Sequence, residues 1–179
     1  MEKESIKRLE ITADKLEIQD VIYKLARGID RCDENLLTEC FHEGATDDHG
    51  HFKGTAKEFI EWVIPLLKTM EATQHCICNI LIDLEGDKAK TESYFLAFHR
   101  LNNEEGDSDM VAAGRYIDNL EKRDGLWAIT HRHAVYDWNR LDPSTDTWNE
   151  GPAKEQLDRG ARAPLDPINQ KSYHSLIFY

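Results

Sequence analysis

Near residue 72 the hydrophobic period of the chain changes, and no other feature restricts its fold as much. Before that point apolar residues recur at helical spacing: Ile18, Val21, Ile22, Leu25, Ala26 and Ile29 form a single stripe. After it they alternate. Four long runs, over residues 73–84, 90–101, 110–121 and 127–140, show the period of two that marks strands with unlike faces. The segments between them, EGDK, NNEEGDSD and KRDG, carry the Gly, Asp and Asn that close hairpins. Helices followed by an antiparallel meander specify an α+β fold: a cone-shaped, curled antiparallel sheet with the N-terminal helices on its concave face.

The helical half divides further. IQDVIYKLARGID has Gly28 loosening its last turn, and DENLLTECFH starts a second helix at once. Asp33 is placed to cap it, because a carboxylate there accepts the free N–H groups of the first turn. ATDDHG reads as a short strand and HFKG as a turn. In TAKEFIEWVIPLLKTM, a third helix, Thr55 is the N-cap and Pro65 a kink. We assign residues 1–140 to one domain and residues 141–179 to an extension. Four of the five prolines (Pro143, Pro152, Pro164 and Pro167) lie in that extension, which rules out one continuous helix there. It ends in SYHSLIFY, too apolar for a solvated tail, so this end is expected to cover a pocket mouth or a neighbouring subunit.

Charge and composition narrow the function. A formal charge of −12 repels phosphate backbones and anionic membranes, which argues against nucleic acid and membrane partners and for a neutral, hydrophobic small molecule. The first residues, MEKESIKRLEITADK, are charged rather than a secretory apolar stretch, and no eighteen apolar residues run together. A cytoplasmic chain with reduced thiols is expected. Cys76 and Cys78 form C-x-C with no second pair, and alternation places them with Ile80 and Ile82 as core.

Chemistry centres on an acid and a histidine on separate elements. Asp30 closes the first apolar helix and His75 opens the strand HCICNILIDL, so they meet only if that helix crosses that strand. A carboxylate that orients an imidazole makes a general base near neutral pH. The bland alternative is that Asp30 caps a helix junction and His75 is a satisfied core histidine. Alternation puts His75, Ile77, Asn79 and Leu81 on one face. In the last run, Ala128, Thr130, Arg132, Ala134 and Tyr136 share one face, and Trp127, Ile129, His131 and His133 share the other. Asn79 and His75 would then be polar groups in an apolar bowl. Two H-x-H pairs, His49 with His51 and His131 with His133, have Asp47, Asp48 and Asp137 nearby. They lack the glycine and carboxylate spacing of a cupin-type metal site, so neither a metal nor a cofactor is expected.

Several segments together carry a resemblance: I18-Q19-D20 and Asp30, HEGATDDHG, G54-x4-F59, His75, and DGLWAITHRHAVYDW. Over roughly Leu9 to Arg140 the chain resembles the SnoaL-like branch of the nuclear transport factor 2-like superfamily. Within it the likeness is to hexachlorocyclohexane dehydrochlorinase, bile-acid dehydratase and, more distantly, scytalone dehydratase. That resemblance implies a metal-free elimination of HCl or water from a cyclic hydrophobic substrate. The family's Asp–His dyad falls on Asp30 and His75, and the pocket arginine on Arg132 as an electrostatic stabiliser. The leaving-group tyrosine has no match, so Tyr23, Tyr116 and Tyr136 stand as candidates, with Asn79 beside Tyr136 shaping the pocket and Phe59 and Trp62 as wall. A homodimer or homotrimer is expected. The same scaffold also serves isomerases, aldol cyclases, ligand-binding modules and dioxygenase β subunits, and those readings stay open.

Overall fold

The structure, a computed structural model, describes residues 2–104 and 106–170. Helix α1 (Glu2–Arg31) is longer than its apolar stripe, and every residue it buries lies between Ile18 and Asp30. The charged N-terminal turns are exposed and are tied down at Asp14, which accepts from Lys122 Nζ at 2.7 Å and Trp127 Nε1 at 2.9 Å. Asp33 caps α2 (Glu34–Glu39) by accepting from the Leu36 N–H. Gly28 has a sharper role than loosening a turn: a Cβ there would lie 2.7 Å from Leu37 Cδ2, so only glycine lets α2 fold this closely on α1. Thr55 and Glu58 close a capping box on α3 (Ala56–Lys68), which continues through Pro65.

The four long alternating runs are β3 (Ala72–Glu85), β4 (Lys88–Leu101), β5 (Ser108–Arg123) and β6 (Leu126–Pro143), paired as an antiparallel meander. Two short strands extend the sheet: β1 (Phe41–Asp48), and β2 (Lys53–Thr55) where only a turn was expected. Strand order is β2-β1-β6-β5-β4-β3, curled and unclosed. All neighbours are antiparallel except β1 and β6, which run parallel. The apolar faces of the helices and the inner faces of β3, β5 and β6 make one core around Ile22, Leu25, Phe59, Leu120 and Ile129.

Bulges overturn two of the alternation readings. Asn119 pairs with His131 and Leu120 with Ile129, leaving Thr130 as the extra residue, its hydroxyl donating to the Asn119 carbonyl. One inserted residue flips parity, so Trp127 and Ile129 share the inner side with Arg132 and Ala134 instead of opposing them. On β3, Ile77 pairs with Phe95 and Ile80 with Ser93, so Cys78 and Asn79 face a single partner. Ile80 and Ile82 then pack inward, whereas Cys78, Asn79 and Leu81 are exposed. The core role expected of Cys78 and the inward placement of Asn79 are therefore both corrected. At the β5–β6 end Gly114 pairs with Tyr136 and Ala113 with Trp138. A Cβ on Gly114 would lie 2.1 Å from the Val135 carbonyl oxygen, which is why this crossing needs glycine.

Beyond β6 the chain forms a short helix, α4 (Ala153–Gln156), and a 3₁₀ turn (Pro167–Asn169). On the way it lays Arg162 into the corner between α1, α3 and β3. The terminal SYHSLIFY lies outside the described residues.

Candidate active site

Helix α1 crosses β3 at its C-terminal end, and this brings Asp30 to His75. The Asp30 carboxylate accepts twice from one residue: Oδ1 from His75 Nδ1 at 2.7 Å and Oδ2 from the His75 backbone N–H at 2.7 Å. Both side chains are more than nine-tenths buried. Because a carboxylate only accepts, Nδ1 carries a proton, and Nε2 is the ring nitrogen left for a substrate. Burial by itself would raise the Asp30 pKa. Hydrogen bonds from the His75 ring and backbone, with the charges of His75 and Arg31, outweigh it and hold the carboxyl below its ordinary value. The pair is therefore anchored at both ring and backbone, which a loose cap would not provide.

His75 borders a cavity of about 580 Å³ whose walls include Phe59, Trp62, Val63, Phe95 and Ala97. That volume suits one small molecule, and the lining is predominantly apolar with a few polar groups. Tyr116 and Tyr136 line it as well. Tyr116 stacks on Phe95 at 4.3 Å between ring centres, and burial pushes its phenol pKa well up. Tyr136 is about half exposed, so it sits at the rim.

Three candidates are elsewhere. Tyr23 is on the exposed side of α1 and Asn79 on the outer side of β3, and neither borders the cavity. Arg132 is fully buried, but it is held by Asp118 through two bonds of 2.7 Å, from Nε and Nη2. Its guanidinium carbon lies 4.1 Å from the centre of the Tyr116 ring, so it supports the cavity wall from behind and does not line the cavity. An arginine already neutralised by a buried carboxylate has little charge to offer a substrate.

Three cavity histidines, His49, His51 and His99, escaped the sequence reasoning. His99 meets His75 edge-on at 5.4 Å, and its Nδ1 is buried with no partner among the described residues. Burial, then the charge of His75, pushes its pKa down to about 4, so it is neutral at physiological pH. Its alternation with Phe95 and Ala97 on one strand was the available signal. His49, considered only as half of a metal-type pair, borders the cavity with Nδ1 at 2.6 Å from Asp47 Oδ1. His131 and His133 are turned to Thr46 and Asp48. Among the described residues no three His, Cys, Asp or Glu side chains converge as a metal site.

The family model described as a SnoaL-like domain matches residues 10–133. The chain belongs to the SnoaL-like family. No curated protein sequence matches it significantly. Among solved structures, this SnoaL-like chain is similar to a putative scytalone dehydratase from Novosphingobium aromaticivorans, at 22% identity over 72% of this chain and 87% of that one, with a TM-score of 0.65. It is similar also to the hexachlorocyclohexane dehydrochlorinase LinA-type3 from Novosphingobium barchaimii, at 20% identity over 75% and 93%, TM-score 0.66. A third is the Kfla4162 protein from Kribbella flavida, at 15% identity over 73% and 95%, TM-score 0.68. Identities this low establish a shared fold and leave chemistry to the residues of this chain.

Proposed function

We propose that this SnoaL-like protein is a cofactor-independent lyase that eliminates water from a cyclic, hydrophobic alcohol of steroid or polyketide type. One observation carries the reading: a buried carboxylate–imidazole contact of 2.7 Å with the imidazole bordering an apolar cavity. His75 Nε2 takes a proton from the carbon next to the substrate carbonyl. Asp30 fixes the tautomer and stabilises the imidazolium that forms, an arrangement worth about 10²–10⁴-fold in rate. His99, neutral and with Nδ1 unpaired among the described residues, offers a hydrogen bond to the substrate oxygen beside the base. The names of the dehydratase and dehydrochlorinase among the structural neighbours support the same class of reaction. Assembly as a homodimer or homotrimer belongs to this reading, through an outer sheet face that exposes Leu81, Tyr94 and Phe98. So does a reducing, cytoplasmic setting, which suits four unpaired cysteines.

The test is a panel of β-hydroxy ketones on decalin, tetralin and steroid frames, followed by enone absorbance. Wild-type protein is expected to turn over at least one of them. Asp30→Asn and His75→Gln should bind it with unchanged affinity and lose at least about 10²-fold in kcat. Full turnover by both variants would eliminate the dyad as the base.

A further inference from the structure

The cavity has a second carboxylate–imidazole pair that the base does not use. We infer that Asp47 and His49 are the acid half of the site and hand a proton to the oxygen that leaves the substrate. This rests on the lyase reading above and assigns its second proton transfer.

Elimination of water breaks a C–H and a C–O bond. The C–H electron pair becomes the new C=C bond and its proton goes to His75. The C–O pair departs with oxygen, and hydroxide is a poor leaving group until it is protonated. His49 supplies that proton, the product is an enone and water, and the two histidines regain their starting states by exchange with solvent. Atoms and charges balance without any cofactor.

The placement meets this need. In the strand order β3 is one edge, and β6, β5 and β4 separate it from β1. His75 on β3 and His49 just after β1 nevertheless border one cavity, so the curl of the sheet brings residues from well-separated strands to it. A substrate lying between them has its C–H toward one ring and its C–O toward the other.

Asp47 is built for such a role. Its side chain is wholly buried, Oδ1 accepts from His49 Nδ1 at 2.6 Å, and Oδ2 has no partner among the described residues. An open carboxylate oxygen in a dry interior is costly and calls for an explanation. Arg132 is its register partner across β1 and β6, but that guanidinium is occupied by Asp118. Two buried carboxylates, Asp47 and Asp118, thus share one guanidinium as their neighbour, so the Asp47–His49 pair sits in a negative setting. At Asp30 the opposite holds. The Arg162 guanidinium donates to the Asp30 carbonyl and makes no carboxylate contact among the described residues, so a positive charge is already there. Two similar pairs in unlike electrostatic settings divide into base and acid.

The His49 ring is also held in position. It stacks on Phe59 at 4.6 Å between ring centres and stands 5.9 Å from Tyr116. With Nδ1 committed to Asp47, the other nitrogen is the one left for a ligand.

The test compares each β-hydroxy ketone of the panel with its β-acetoxy counterpart, since acetate leaves without a proton. His49→Gln and Asp47→Asn are expected to lose about 10²-fold or more on the hydroxyl compounds and to stay within a few-fold of wild type on the acetoxy compounds. His75→Gln should lose both. Equal losses on both leaving groups in the His49 and Asp47 variants, or no loss on either, overturns the acid role while leaving the base intact. Undiminished turnover by His75→Gln, or none by the wild-type protein on either series, overturns the lyase reading itself. Asp47→Asn preserves the shape of the buried side chain, so it supports the comparison even if His49→Gln fails to fold.

Discussion

Arg162 reaches the dyad from the C-terminal extension, and replacing it tests whether that extension holds the site together. Its guanidinium donates to the Asp30 carbonyl, to Thr73 Oγ1 at 2.6 Å, to the Leu67 carbonyl at 3.1 Å and to the Met70 carbonyl at 3.3 Å. Asp30 and Leu67 are in the last turns of α1 and α3, where carbonyls lack partners further along the helix. A cation there also opposes the negative end of each helix dipole. At about 1 kcal/mol net per bond, discounted for partial exposure, Arg162→Met should cost roughly 3–4 kcal/mol. For a chain of this size that is a fall in Tm of roughly 6–15 °C. Because the Asp30 backbone is one of the four partners, kcat should drop as well, by as much as about 10²-fold for a displacement near 1 Å. Thermal melts with steady-state kinetics on the panel read both quantities, and Arg162→Lys, which can keep part of the bonding, should fall between. An Arg162→Met protein that melts within about 2 °C of wild type and turns over normally would show that the extension does not position the dyad.

Two further perturbations have signs set by the structure. His99 has a pKa of about 4 in the fold against an ordinary 6.5, so between those values the unfolded chain binds more protons and stability rises with pH. Its contribution is complete above 6.5 and is lost as pH falls toward 4, by an amount on the order of 3 kcal/mol. His99→Gln should flatten urea-derived stability across that window, and an unchanged slope would remove His99 as its source. Gly114→Ala would drive a methyl group into the Val135 carbonyl, a backbone atom that cannot swing aside. A loss of about 2–3 kcal/mol is expected from chemical denaturation, and a neutral result would mean that the crossing of β5 and β6 relaxes freely.

The order of elements was readable from the chain because short-range physics decides it. Apolar spacing sets the helices and the meander, and Asp33 and Thr55 cap helices where their oxygens reach the first free N–H groups. Asp30 and His75 were legible only as a conditional pair, able to meet if the first apolar helix crosses the first long strand, and it was the family resemblance that pointed to these two residues. Alternation failed wherever a strand carries one residue too many. Thr130 and the Cys78–Asn79 step reverse the parity that places Asn79 in the bowl and Trp127 opposite Arg132, and nothing local marks those residues as extras. Bulges arise from the curl of the whole sheet, which depends on partners far away in sequence. The same holds for charge. Only tertiary packing gives Arg132 to Asp118 and sets Arg162 behind Asp30, because each pairing depends on which buried groups share a dry space after the sheet has wrapped.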